Sequence, residues 1–426
     1  MVLAKIRPRW LRVVVLVIAP LLSVLLTVGV IIGVDYLAMA FAPQPDIVNP
    51  REDVNLYAKI VLIVMITAIV ISLPWSGYRQ WRRHRILSLN RKGMKLAHQQ
   101  RYEEALAAYE QALKMAPKYS AAWLGKGNAL FNLGRYEDAL AAQNHMTTLY
   151  PHFASAWINK GATLSKLGRY QEAIAACDQA LALSPQYAMA WNNKGFSLLR
   201  LGLNEEALAF FDHAITLDPK ERLAWENKGI ALRRLGRYEE ALAVYEQLLA
   251  LSPDNESAWI SKGVALDRLH RYEEALAAFD RAVSLDATDS TAWNNKATIL
   301  CERLHRYDEA LAVCDTAQAQ GIDLAGLWAV RGDALHALGR EDEARAAYER
   351  ILTYPANDFL SWASHGAAYA GLGQYHEALA VYNEALALDP DHPGVLHAKA
   401  TGLRTLGCDE EAEEADARAT ALGWEE

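Results

Sequence analysis

Eight tryptophans set a metre on this chain of 426 residues. Trp123, Trp157, Trp191, Trp225, Trp259 and Trp293 stand 34 residues apart, Trp328 follows after 35 and Trp362 after 34. Around each, the same companions return: a Gly four residues later (Gly127, Gly161, Gly195, Gly229, Gly263, Gly332, Gly366), an Ala sixteen later, or seventeen in the lengthened unit, and often a Pro at the unit's end. A period of this length implies a repeat architecture, in which each unit buries its apolar side against its neighbours. The one extra residue falls within Cys301 to Tyr307 and is expected between the two helices of its unit.

Within a unit the pattern is helical. From Trp191 to Gly202 the apolar residues recur at helical spacing and a Gly closes the helix. A second periodic stretch then opens on Glu205 and Glu206, acids that suit a helix N-terminus. Each unit therefore reads as a helical hairpin. Gly195 and Ala207 are expected to be small because the two helices approach closely there, with aromatics filling the gap around them. One hairpin cannot bury enough of itself to offset the ordering of its own chain, so stacked neighbours must supply the rest.

This pattern resembles the tetratricopeptide repeat, whose 34-residue unit reads W-x2-L-G-x2-Y, then A-x3-F, then P. The resemblance covers residues 86–426 as ten units: 86–119, 120–153, 154–187, 188–221, 222–255, 256–289, 290–324, 325–358, 359–392 and 393–426. It implies an all-α, right-handed α-solenoid of ten helix-turn-helix repeats, whose first helices line a concave groove for other proteins or extended peptides. Leu89 and Leu396 replace Trp in the end units, as capping repeats do; Ala287 replaces Pro and Ala297 replaces Gly. The Leu before Gly is mostly Lys (Lys126, Lys160, Lys194, Lys228, Lys262), so that place is expected to be part-solvated or to let the stem snorkel.

Residues 1–85 read differently, as a membrane anchor. Val13 to Val34 form 22 residues without a charge, enough for a spanning helix, and a second span is expected at about 54–73 if Lys59 snorkels. Lys5, Arg7, Arg9 and Arg12 precede the first span, while Arg79, Arg82, Arg83 and Arg85 in the basic segment 76–85 follow the second. The loop 35–53 holds a single Arg51, so both basic flanks are expected to stay cytoplasmic. Trp10, Tyr36, Tyr57 and Trp75 fall where interfacial aromatics belong. A signal-peptide reading of residues 1–42, with cleavage near Ala38-Met39-Ala40, is disfavoured because the apolar run exceeds an ordinary h-region. Gly29 and Gly33 form a G-x-x-x-G for helix packing, against the chain's own second span or in a homo-oligomer. The expectation is an integral protein of a bacterial inner membrane, with its N-terminus and repeats in the cytoplasm.

Charge separates the two regions. Residues 1–85 carry ten Lys/Arg against four Asp/Glu, leaving −14 on the remainder of a chain whose net charge is −8. An acidic repeat region excludes nucleic acid as its partner, because phosphate neutralisation needs a basic footprint. Cys177, Cys301, Cys314 and Cys408 lie far apart without a C-x-x-C, which argues against zinc or a disulfide framework and fits a reducing compartment. No H-E-x-x-H, G-x-S-x-G or phosphate-loop signature occurs, and the histidines are scattered, several in turns such as His270 and His305. Neither an enzyme nor a cofactor is expected.

Binding is expected in the groove instead. Taking places two, five, six, nine, twelve and thirteen of each unit as concave gives Asn192, Asn193, Phe196, Arg200, Asn227, Arg233, Arg234, Arg268, Asn294 and Asn295, with Glu226 and Asp267. Amides suit the backbone of an extended peptide, and arginines its carboxylates. Lys166, Arg200, Arg234 and Arg268 form a ladder spaced by 34, which reads either as a stripe for acidic peptides or as cations placed by the helix dipole. The resemblance also raises a carboxylate clamp of Lys and Asn at places five and nine; of Asn90, Met94, Leu124, Asn128, Ile158 and Ala162, only Asn128 fits, so no such clamp is expected.

Overall fold

The computed structural model describes residue 61 and residues 77–424. The expected spans at 13–34 and 54–73, residue 61 apart, and the Gly29/Gly33 motif lie outside the described residues. No helix among the described residues is long and apolar enough to cross a membrane.

Twenty helices and no strand occupy 77–424. α1 (77–98) and α2 (Tyr102–Met115) form the first hairpin, and α3 (Ser120–Asn132) and α4 (Tyr136–Leu149) the second. These belong to one compact part, ending at Tyr150; a second part begins at Pro151. It holds α5 (Ala154–Lys166), α6 (Tyr170–Leu183), α7 (Ala188–Arg200), α8 (Asn204–Leu217), α9 (Arg222–Arg234), α10 (Tyr238–Leu251), α11 (Glu256–Arg268) and α12 (Tyr272–Leu285). α13 (Ser290–Thr298), α14 (Tyr307–Ala319), α15 (Ala325–Ala337), α16 (Glu341–Ile351), α17 (Phe359–Gly371), α18 (Tyr375–Leu388), α19 (Pro393–Thr405) and α20 (Asp409–Ala421) complete it.

In this second part each helix packs on the next, and α7 also touches α5 and α9, as α15 touches α13 and α17. The second helices of successive hairpins make no comparable contacts. First helices therefore crowd along one side of the file and second helices spread along the other, which makes the first-helix side the inner face.

Three recurring contacts build the file. The glycine at place eight carries the ring at place 24: a Cβ on Gly195 would sit 2.7 Å from Phe211, and one on Gly263 would sit 2.6 Å from Phe279. The ring lies on the glycine itself, a closer arrangement than rings filling space beside a helix crossing. The indole N–H groups from Trp123 to Trp328 then tie each hairpin to the loop before it, as Trp191 Nε1 donates to the Pro185 carbonyl at 2.8 Å and Trp225 Nε1 to that of Pro219 at 2.9 Å. Trp293 finds the Ala287 carbonyl at 3.0 Å, so losing Pro there leaves the bond intact. Before α15 the acceptor becomes the Asp323 carboxylate at 2.7 Å, which Tyr354 and Arg350 also bind; this holds its carboxyl down to about 2.

The lysines at place seven are the third contact. Lys194, Lys228 and Lys262 reach back to Asp178 (2.6 Å), Asp212 (2.6 Å) and Glu246 (3.0 Å) on the preceding second helix. Lys228 and Lys262 also lie over the rings of Trp225 and Trp259. Their side chains are about one-fifth exposed, so the stem is covered while the ammonium stays paired.

First helices end in a left-handed residue, usually Gly, with the following N–H returning to the helix, as Leu203 N does to Leu198 O at 3.0 Å. His270 and His305 take that position with φ of 58° and 52°, and each ring meets the tyrosine two residues on. The seventh hairpin departs from expectation. Its extra residue is taken up inside the end of the first helix, where Ile299–Arg303 form a π-turn and Leu304 N bonds Ile299 O at 3.0 Å. A π-turn absorbs one residue without lengthening the loop, so Tyr307 still opens α14.

Candidate functional site

All the expected groove residues from Lys166 to Asn295 lie on first helices of the second part. They fall into two groups. Asn192 and Asn227 are buried, and Asn227 Nδ2 donates to Asn192 Oδ1 at 3.0 Å between consecutive hairpins. These two amides hold α7 to α9 and meet each other before they meet a ligand. Asn193, Asn294 and Asn295 are half-buried. The Nδ2 of Asn193 and the Oδ1 of Asn294 have no hydrogen-bond partner and are shut away from solvent, the latter against Gly326 of α15.

The cations separate similarly. Arg234 donates to the Leu199 carbonyl at 2.9 Å, closing the C-terminus of the preceding first helix. The dipole reading holds for this residue, but on its neighbour's helix. Arg200, Arg268 and Lys166 end their helices exposed, and Arg233 is half-buried. The Arg200 guanidinium lies over the rings of Tyr170 (5.4 Å) and Phe196 (6.0 Å), which orient it while the residue stays exposed. Met189 and Leu223, the second residues of α7 and α9, are about half exposed on this face, at 49% and 55%.

The π-turn contributes a residue that the 34-residue count passed over. With Glu302 taken up as the extra residue, Arg303 comes to the ladder's place, and its Nε lies 3.6 Å from Asp267 Oδ1. The 35-residue interval signals an insertion, but only the backbone shows which residue is displaced. Farther along, the Tyr348 hydroxyl donates to Asp333 Oδ1 at 2.7 Å. The carboxyls of Asp333 and Glu302 are raised above the ordinary range by loss of water, offset by Tyr348 and Arg303 respectively. The face thus runs from arginines with apolar neighbours at α7 and α9 to carboxylates around α13 and α15.

Burial pushes the thiols of Cys177 and Cys301 up to about 12 and that of Cys314 to about 11, so they stay protonated. Among the described residues, no group of three or more His, Cys, Asp and Glu converges as metal ligands do. A crevice of about 10 Å³ beside Cys314, Trp328 and Arg331 holds a single water at most.

Family models described as tetratricopeptide repeat match residues 91–154, 154–187, 186–254, 226–290, 261–325, 325–358 and 359–402, and so cover the chain without a gap from 91 to 402. Among solved structures, a tetratricopeptide repeat protein from Parabacteroides merdae is 20% identical, with 59% of this chain and 98% of that one covered, at a TM-score of 0.50. YrrB, described as a TPR protein with an unusual peptide-binding site, is 22% identical over 44% of this chain and 97% of its own, at 0.36. A thermophilic TPR protein of Thermus thermophilus is 23% identical over 45% and 99%, at 0.38. At these identities the likeness concerns fold alone. A comparison with curated protein sequences gives no match.

Proposed function

We propose, from the premise that the chain belongs to the tetratricopeptide-repeat family, that it is a protein–protein interaction scaffold whose inner face captures an extended, acidic segment of a partner. The observation that carries this reading is the pair Arg200 and Arg268: exposed at the same helix end two hairpins apart, with Arg200 oriented by two rings. An extended peptide crossing from one to the other would place carboxylates on the guanidinium groups. Spans at 13–34 and 54–73 would tether the scaffold to a bilayer and set its partner's location.

The test reverses Arg200 and Arg268 to Glu and leaves Arg234 intact, since Arg234 bonds the Leu199 backbone. Partner recovered with the chain from mild detergent should fall at least about tenfold, equivalent to about 1.4 kcal/mol. Unchanged recovery ends the peptide-groove reading. An accessory subunit of a protein-export or envelope-assembly complex, meeting its partner through the spans, predicts the reverse: replacing the spans with an unrelated hairpin would abolish capture while the arginine reversals leave it alone.

A further inference from the structure

We infer that the first turns of α1, residues 77–85, dock against an anionic phospholipid surface. α1 bears Arg79, Arg82, Arg83, Arg85, Arg91, Lys92 and Lys95 without one Asp or Glu, and no acid occurs between Asp53 and Glu103. The region from residue 86 onward is strongly acidic, so this basic surface is local. Every residue from 77 to 85 is exposed, and the first buried residue of the helix is Leu89. The helix thus starts well before the repeat needs it, and packing in the first hairpin does not account for these turns.

Their side chains are of two kinds. Trp81 is 57% exposed and Tyr78 39% exposed, with ring centroids 5.9 Å apart and planes at 28°. Tyr78, Trp81, Arg82 and Arg85 share one side by helical spacing, with Arg79 and Arg83 beside them. Aromatic rings with an apolar body and a polar edge, set among arginines, match the headgroup region of a bilayer, where rings partition at the interface and guanidinium groups meet phosphate. Arg82 donates to the Met115 carbonyl at the end of α2, so this one guanidinium is engaged by the first hairpin and holds the helix to it, and the charges offered to phosphate are those of its neighbours, Arg83 and Arg85 among them. Nucleic acid offers phosphate too, yet the apolar run at 60–73 directly precedes this helix in sequence, so the same chain delivers it to lipid.

The docking does not require the spans to cross the bilayer, and the experiment separates the two. The full-length chain carrying Ser88→Cys and Cys408→Ser, its other three cysteines being buried, is mixed with vesicles of phosphatidylcholine alone or with phosphatidylglycerol. Ser88 is exposed seven residues after Trp81 and so lies on the same side of the helix; thiol labelling there should slow at least tenfold with the anionic vesicles and recover in high salt. Arg83→Glu with Arg85→Glu should abolish the protection while the helical circular dichroism of the repeats is unchanged. Equal labelling in both vesicle types overturns the inference, as does equal protection by a DNA duplex in place of lipid. An alkaline wash reports the anchor: release from both vesicle types refutes the spans, and salt-sensitive protection at residue 88 still upholds the docking.

Discussion

Gly195 and Phe211 should fail separately and tolerate change together. A methyl group on Gly195 would fall 2.7 Å from the Phe211 ring, deep in the shared core, so Gly195→Ala should cost about 1–3 kcal/mol. Phe211→Cys should cost about 3 kcal/mol by leaving a cavity. The double variant recreates the seventh hairpin, where Ala297 stands in the glycine's place and Cys314 in the ring's. Its loss in denaturant unfolding should therefore fall short of the summed singles by at least about 0.5 kcal/mol; strict additivity would show that ring and glycine are not in register. Small size at place eight was legible in the sequence because the period repeats it. Other residues were less legible. Asn192 and Asn227 look like groove amides at their places in the repeat, and only the stacking of hairpins reveals that they bond each other. Place thirteen behaves likewise: Arg200 and Arg234 are one period apart, yet Arg234 closes a neighbour's helix while Arg200 stacks on rings. Periodicity specifies which way a side chain points, and not what its neighbour offers it.

At the level of the helix, the seventh hairpin is where sequence and structure diverge. A 35-residue interval reveals one added residue but is equally consistent with a longer loop or a wider helical turn. The wider turn prevails because Tyr307 and Arg306 keep their positions at the start of α14, where Arg306 pairs with Glu309 and with Glu273 on the previous second helix. Lengthening the loop would have displaced both. Deleting Glu302 should therefore convert Ile299–Arg303 to ordinary α-helix, restore the 34-residue period and leave Arg303 facing Asp267. Thermal unfolding of that variant should lie within about 1 kcal/mol of the parent, since one strained turn is removed together with one glutamate side chain. A loss of several kcal/mol would mean that the π-turn itself is needed to seat Cys301 and Leu300 in the core they share with α15.

Over the whole of the second part, coupling is expected to run only between neighbours. The architecture was readable from the sequence for that reason: each hairpin solves the same packing problem, so one period describes them all. The tenth hairpin shows how local that packing is. α20 is rich in acid on its exposed side, and Trp424 stacks on His397 at 5.1 Å, covering Gly394 at the start of α19. Removing 393–426 takes away this cover and uncovers Tyr375 and Leu379, the side chains of α18 that approach Gly402. In a file of nearest-neighbour contacts the loss is confined to the hairpin left at the end. Amides of α17 and α18 should then exchange much faster, those of α7 to α11 should keep their protection, and capture through Arg200 and Arg268 should persist. Uniform loss of protection across the part would show instead that its hairpins fold as one cooperative body, and the groove could not then be treated as separable from the end that closes it.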